Sequence, residues 1–140
     1  MEALPPILIV DDEADDVFIL KRLLSKAQIK NKLISFEDPT AAIAYLQGEI
    51  LSPQDIFIPW IIFTDLNMPN FSGLQLTTWI RSQPALQNSV VIMMTSSENP
   101  DDQDAAQKAG VDCFLPKYPT VKTLVELAAE FRPRMKIVDT

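Results

Sequence analysis

Short apolar runs alternate with longer segments of helical period along the chain. The apolar runs are residues 7–10, 33–36, 60–63, 90–94 and 113–115. Continuous runs of this length are typical of strands that are buried on both faces, as in a parallel sheet covered by helices. We therefore predict five strands.

The segments between these runs predict five helices. In the first, residues 14–27, apolar side chains recur at three- and four-residue steps. The second is expected to begin with Asp38 as its N-cap and Pro39 at its first position, and to end near residue 47, before Gly48. The others are predicted from Gly73 to residue 82, from the segment NPDD to a C-cap at Gly110, and over residues 120–131.

Strands that alternate with helices in this way predict an α/β fold with a doubly wound (βα)5 parallel sheet. Residues 48–59 are less regular and are expected to form an extended loop. We see no repeat and no second domain, so we expect residues 1–140 to form a single domain. Its core would span about residues 5–131, with a short tail over residues 132–140.

Composition excludes several classes of function. A net charge of −7 argues against direct binding to nucleic acid. The chain has no histidine and one cysteine, which excludes Ser-His-Asp and Cys-His catalysis, histidine-ligated zinc and an internal disulfide. The start MEALPP does not fit a signal peptide, and no apolar run approaches the roughly 20 residues needed to span a bilayer. We expect a cytoplasmic protein without membrane contact.

Polar side chains follow four of the five predicted strands. They are Asp11 and Asp12 after the first, Asp65 after the third, Thr95 after the fourth and Lys117 after the fifth. Each has an ordinary structural explanation, as a turn acid, a helix cap or a solvated lysine. Because the carboxyl ends of parallel strands meet at one edge of the sheet, we expect all five to lie together, where open α/β sheets bind ligands.

Three clustered carboxylates offer hard oxygen ligands, which favour Mg²⁺. Such an ion would also explain the acid run DDEADD, since it would neutralise Asp11 and Asp12. Glu13, Asp15 and Asp16 are interpreted as solvated acids at the start of a helix. A lysine and a hydroxyl suit phosphate oxygens, so one aspartate could serve as a nucleophile that becomes an aspartyl phosphate.

These motifs in this order resemble the receiver domain of two-component response regulators. The resemblance rests on the acid pair after strand one, DLNMP followed by Gly73, MTSS after strand four and the lysine after strand five. The segments DDEADDVFILKRLL and PWIIFTDLNMPNFSGLQLTTWIRS also resemble those of the stand-alone regulators paired with phytochrome-type histidine kinases. The resemblance implies a flavodoxin-like sheet with strand order 2-1-3-4-5.

It also implies roles for the site residues. Asp65 would be the phosphoacceptor. Asp12 and Asp65 would bind Mg²⁺ (or Mn²⁺) directly, Asp11 mainly through water, and the backbone carbonyl of Asn67 would complete the metal site.

The same resemblance implies that Lys117 and Thr95 hold the phosphoryl oxygens and that Thr95 and Phe114 act as the switch pair. The phosphodonor would be a sensor histidine kinase or a phosphotransfer protein, and the signal would leave through an unidentified protein target. The resemblance is also compatible with a homodimer. The protein would catalyse its own phosphorylation and dephosphorylation and would otherwise not be an enzyme.

One residue departs from the family pattern. Tyr118 follows Lys117 where the family usually has a proline, commonly after a cis peptide bond, and the proline comes one position later. The Lys117–Tyr118 bond is therefore expected to be either trans with a repositioned loop or cis.

Two other readings remain at this point. A receiver-like binding module that is not phosphorylated would explain Tyr118. A haloacid-dehalogenase-like phosphatase also uses an aspartate nucleophile, but it requires an acid two residues later, where this chain has Asn67.

Overall fold

The computed structural model describes residues 2–51 and 58–139. Five parallel strands alternate with five α-helices, as the apolar pattern predicts. The strands are β2 (Ile7–Val10), β3 (Leu33–Phe36), β4 (Ile61–Asp65), β5 (Val90–Thr95) and β6 (Cys113–Pro116); β1 (Glu2–Ala3) precedes them and is not part of this sheet. The helices are α1 (Ala14–Lys26), α2 (Pro39–Ile50), α3 (Gly73–Ser82), α4 (Pro100–Ala109) and α5 (Val121–Phe131).

The parallel strands form one sheet in the order β3-β2-β4-β5-β6. Counting only these five strands, the order is 2-1-3-4-5, so the predicted flavodoxin-like topology is confirmed. β2 and β4 lie next to each other in register, with Val10 opposite Thr64, and Asp65 of β4 lies opposite Met94 of β5. The carboxyl ends of the three central strands therefore meet at one edge.

Alternate residues of each central strand enter different cores. In β2, Ile7 and Ile9 pack in a cluster with apolar residues of α1 and α5, whereas Leu8 and Val10 pack in a second cluster with residues of α2 and α3. All four side chains are fully buried. This is why the strand has no polar position, and why its sequence is a continuous apolar run.

Local caps set several helix ends where the sequence predicts them. The Asp38 side chain accepts a hydrogen bond from the Thr40 N–H at 2.9 Å, with Pro39 at the first position of α2. α3 starts with a capping box between Ser72 and Gln75. α4 ends at Gly110, whose φ of 107° is in the left-handed region that a glycine adopts without strain.

The second helix is longer than predicted. It continues through Gly48 to Ile50, so the expected loop does not begin at residue 48. The reason is the apolar spacing, because Ala42, Leu46 and Ile50 lie four residues apart and all contribute to the same core cluster. Residues 52–57 of the expected loop lie outside the described residues.

A two-stranded antiparallel sheet was not predicted. It pairs β1 (Glu2–Ala3) with β7 (Val138–Asp139), so the segment after α5 returns to the start of the chain. A short 3₁₀ helix, Arg132–Arg134, begins this return. Over residues 2–51 and 58–139, no helix combines the length and the apolar character needed to cross a membrane.

Candidate functional site

Three carboxylates gather at the carboxyl edge of the sheet. Asp11 follows β2, Asp12 follows Asp11, and Asp65 is the last residue of β4. One oxygen from each lies within 4.8 Å of the others, and we call this group the carboxylate cluster. Asp11 is 1% exposed and Asp65 is 7% exposed, whereas Asp12 is partly exposed. The predicted convergence of these acids is therefore found, with oxygen donors suited to a hard divalent cation.

Backbone hydrogen bonds fix the positions of the strand ends. The Asp11 N–H donates to the Phe36 carbonyl at 3.1 Å, and the Leu66 N–H donates to the Met94 carbonyl at 3.1 Å. The Asp11 side chain accepts a hydrogen bond from the Glu13 N–H at 2.9 Å. The buried acids are thus held by the sheet and by the turn into α1.

Lys117 lies against the carboxylate cluster. Its Nζ is 3.0 Å from Asp11 Oδ2 and 3.4 Å from Asp65 Oδ1, and its side chain is 9% exposed. Burial alone would lower the pKa of Lys117, but hydrogen bonds to Asp16 and Asp11 outweigh it and raise that pKa. Lys117 is therefore charged at neutral pH and offsets part of the repulsion among the acids.

Burial acts in the opposite direction on the two buried aspartates. Burial raises the pKa of Asp11, whereas the hydrogen bond from the Glu13 N–H and the Lys117 ammonium lower it. It also raises the pKa of Asp65, against the charge of Lys117. Burial therefore disfavours the charged forms of these two acids, and the positive charge of Lys117 offsets part of that effect.

Thr95 lies beside this group at the end of β5. It is 1% exposed, and its carbonyl accepts the Lys117 N–H at 2.9 Å. Its hydroxyl oxygen accepts the Ser97 N–H at 2.9 Å. Thr95 and Lys117 are thus joined through the backbone, as expected for two residues at adjacent strand ends.

Two further predicted residues have different surroundings. Phe114 of β6 is partly buried and packs against a cluster of Leu66, Met93 and Ala106, beside a surface cleft that Thr95 also borders. Asn67 is exposed directly after Leu66. The roles predicted for Phe114 and for the Asn67 carbonyl remain predictions.

The prediction for Asp16 is wrong. Asp16 was interpreted as a solvated acid, but its Oδ2 accepts a hydrogen bond from Lys117 Nζ at 2.6 Å and its Oδ1 accepts one from the Tyr118 hydroxyl. A signal was present in the sequence, because Asp16 lies four residues before the buried Leu20 on the apolar stripe of α1. Asp15, one position earlier, is exposed.

The Lys117–Tyr118 peptide bond is cis, which settles the alternative left open by the sequence.

Comparison with known proteins assigns the family. A model of the response regulator receiver domain matches residues 7–129. The chain belongs to the response regulator receiver family. This family assignment removes the haloacid-dehalogenase-like reading.

The receiver is similar to regulators associated with phytochromes. It is 34% identical to the response regulator Rcp1 of Synechocystis sp. over 131 residues, which cover 90% of this chain and 86% of Rcp1. The Mn²⁺-bound structure of Rcp1 matches with a TM-score of 0.68 and 31% identity, covering 90% of each chain. The bacteriophytochrome response regulator RtBRR matches with a TM-score of 0.76 and 27% identity, covering 92% of this chain and 78% of that one.

Proposed function

We propose that this receiver is phosphorylated on Asp65 by the phosphohistidine of a sensor histidine kinase or a phosphotransfer protein. The observation that carries the proposal is the position of Asp65, which ends the central strand β4 between two other carboxylates and a lysine. The similarity to Rcp1 and RtBRR favours a kinase of the phytochrome type as the donor.

The donors of the carboxylate cluster fit Mg²⁺ or Mn²⁺. Asp11, Asp12 and Asp65 would hold the ion with the backbone carbonyl of Asn67, and the Mn²⁺-bound form of Rcp1 supports this assignment. When bound, the ion supplies positive charge that neutralises the acids and the incoming phosphoryl oxygens. The carboxylate of Asp65 is then free to act as a nucleophile without the repulsion of its neighbours.

The transfer forms one bond and breaks another. An Asp65 carboxylate oxygen attacks phosphorus, the bond from phosphorus to the imidazole nitrogen of the donor breaks, and the nitrogen keeps the electron pair. Lys117 and Thr95 hold the phosphoryl oxygens by a charge and a hydroxyl donor. In dephosphorylation, a water oxygen attacks phosphorus and the bond from phosphorus to the Asp65 oxygen breaks. Inorganic phosphate leaves, and the Asp65 carboxylate is regenerated with the electron pair of that bond.

The readout proceeds through protein contact. Thr95 gives up its hydrogen bond from Ser97 when it turns to the phosphoryl group, and Phe114 then moves inward beside it. The resulting change on α4, β6 and α5 would be recognised by a downstream protein or by a second copy of the chain.

The test is intact mass after incubation with acetyl phosphate, with and without Mg²⁺. We expect one added phosphoryl group that requires both the ion and Asp65, so it is absent in Asp65→Asn. Asp15→Asn, the same change at an exposed acid of the same edge, should be phosphorylated like the wild type. If neither acetyl phosphate nor a phosphorylated histidine kinase labels the protein, the proposal is wrong and the binding-module reading takes its place.

A further inference from the structure

Asp16 ties the loop after β6 to the first turn of α1. One of its carboxylate oxygens accepts a hydrogen bond from Lys117 Nζ at 2.6 Å, and the other accepts one from the hydroxyl of the next residue, Tyr118. The Asp16 side chain is 16% exposed. Both oxygens are therefore engaged by consecutive residues of a segment that is distant in the chain.

Lys117 divides its contacts among three acids. Its Nζ lies 2.6 Å from Asp16, 3.0 Å from Asp11 and 3.4 Å from Asp65. Two of its three N–H donors make hydrogen bonds, to Asp16 and Asp11, whereas Asp65 is held as an ion pair. The shortest contact is the one to Asp16, which does not belong to the carboxylate cluster.

A divalent cation in the cluster competes with Lys117 for two of these partners. Oxygens of Asp11 and Asp65 that ligate the cation are less available to the ammonium, and the two positive charges repel each other. Asp16 is not in the cluster, so its contact with Lys117 does not compete directly with the cation. The Tyr118 hydroxyl occupies the other oxygen of Asp16 and so orients the carboxylate toward Lys117.

We propose that Asp16 is a positioning residue for Lys117, which keeps the ammonium at the site while a divalent cation occupies the carboxylate cluster. This inference rests on the proposed function. Asp16 and Tyr118 act jointly, because Tyr118 orients Asp16 and Asp16 holds Lys117 within reach of the phosphoryl oxygens on Asp65.

The first test measures the rate of phosphorylation by acetyl phosphate in saturating Mg²⁺. We expect Asp16→Asn to lower the rate about 10-fold, as is typical when a supporting partner of a reacting site is lost. Tyr118→Phe should lower it less, because only the orienting hydroxyl is removed. Asp15→Asn, which makes the same change of charge one residue away, should leave it within about 2-fold of the wild type.

The second test asks whether Asp16 acts through Lys117. Asp16→Asn is combined with Lys117→Ala, and the affinity for Mn²⁺ is measured by calorimetric titration for the wild type, both single variants and the double variant. Without Asp16, Lys117 contacts only Asp11 and Asp65 and competes with the cation for both. The affinity for Mn²⁺ should therefore fall more in Asp16→Asn than in Asp15→Asn. With Lys117 also removed, the effect of Asp16→Asn should shrink to that of Asp15→Asn.

The outcomes separate this inference from the proposed function. If the wild type is phosphorylated but Asp16→Asn behaves like Asp15→Asn in both tests, the positioning role is wrong and the proposed function stands. If the wild type accepts no phosphoryl group, the Mn²⁺ titrations still decide, because an equal effect of Asp16→Asn with and without Lys117 refutes the positioning role. Melting curves of Asp16→Asn and Tyr118→Phe show whether each variant is folded at the temperature of the assays.

Discussion

Gly73 is the position where a single methyl group would disturb the site most directly. It is the first residue of α3, and its N–H donates to the Leu66 carbonyl at 2.9 Å. A Cβ atom on Gly73 would lie 2.1 Å from the Asp65 carbonyl oxygen and 3.2 Å from Leu66 Cα. Because these are backbone atoms, neither can rotate away, and Gly73→Ala must separate α3 from the end of β4.

The size of the effect follows from the overlap. Carbon and carbonyl oxygen approach to about 3.3 Å, so relief requires a movement of about 1 Å. Overpacking of this kind costs about 1–3 kcal/mol in the free energy of unfolding. For a chain of this length each kcal/mol lowers Tm by about 4 °C. A displacement of Asp65 by about 1 Å would slow phosphorylation by about 100-fold.

The assay pairs urea denaturation, followed by circular dichroism, with the rate of phosphorylation by acetyl phosphate. Gly48→Ala is the matched control, since Gly48 lies inside α2 and nothing is within 4 Å of its added Cβ. That variant should gain about 0.5–1 kcal/mol, because alanine is the better helix former, and keep the wild-type rate. A Gly73→Ala variant with unchanged stability and rate would refute the close contact between α3 and β4.

Three other perturbations have expected outcomes. Asp112→Ala should lose about 2–3 kcal/mol in urea denaturation, because Arg81 and Arg134, whose guanidinium groups lie 2.7 and 2.6 Å from Asp112, lose this carboxylate and keep hydrogen bonds to backbone carbonyls. The N–H of the buried Val91 also loses the Asp112 oxygen that accepts its hydrogen bond at 2.8 Å. A loss below about 0.5 kcal/mol would contradict this. Removing Mg²⁺ with a chelator should lower Tm, since an ion that binds only the folded protein adds about 2.7 kcal/mol at 100 times its Kd, and a Tm independent of Mg²⁺ would count against the cation site. The hydrogen bond to Asp16 raises the pKa of Tyr118, so its contribution to stability is present below the ordinary tyrosine pKa and is lost as pH rises through the raised value. The Tyr118 signal in an absorbance titration is identified by its loss in Tyr118→Phe. In Asp16→Asn, Tyr118 should ionise at a lower pH than in the wild type, and an unchanged titration would show that the hydrogen bond is not formed.

Much of the fold was predictable because the burial pattern is local. The run Ile7–Val10 is continuous since its alternate residues enter two separate cores, and the same holds for residues 61–63 of β4. Parallel strands carry the residues that follow them to one edge of the sheet. The convergence of Asp11, Asp65, Thr95 and Lys117 therefore followed from sequence once the five strands were recognised.

Helix ends were predictable only where a cap or an apolar stripe decides them. Asp38 and Gly110 mark the ends they were expected to mark. Gly48 does not end α2, because the buried stripe of Ala42 and Leu46 continues to Ile50, and packing outweighs the modest cost of a glycine within a helix. The pairing of β1 with β7 joins the two ends of the chain and has no local signal.

The partners of Lys117 were decided by tertiary structure. Asp15 and Asp16 are identical neighbours in the same helical turn, yet Asp15 is exposed and Asp16 binds a lysine 101 residues away. The sequence determined which strand end carries each charge. Which acids Lys117 contacts depends on how α1 and the loop after β6 pack against the sheet. The distance between α1 and that loop is set by the packing of the two cores rather than by any residue of the motif.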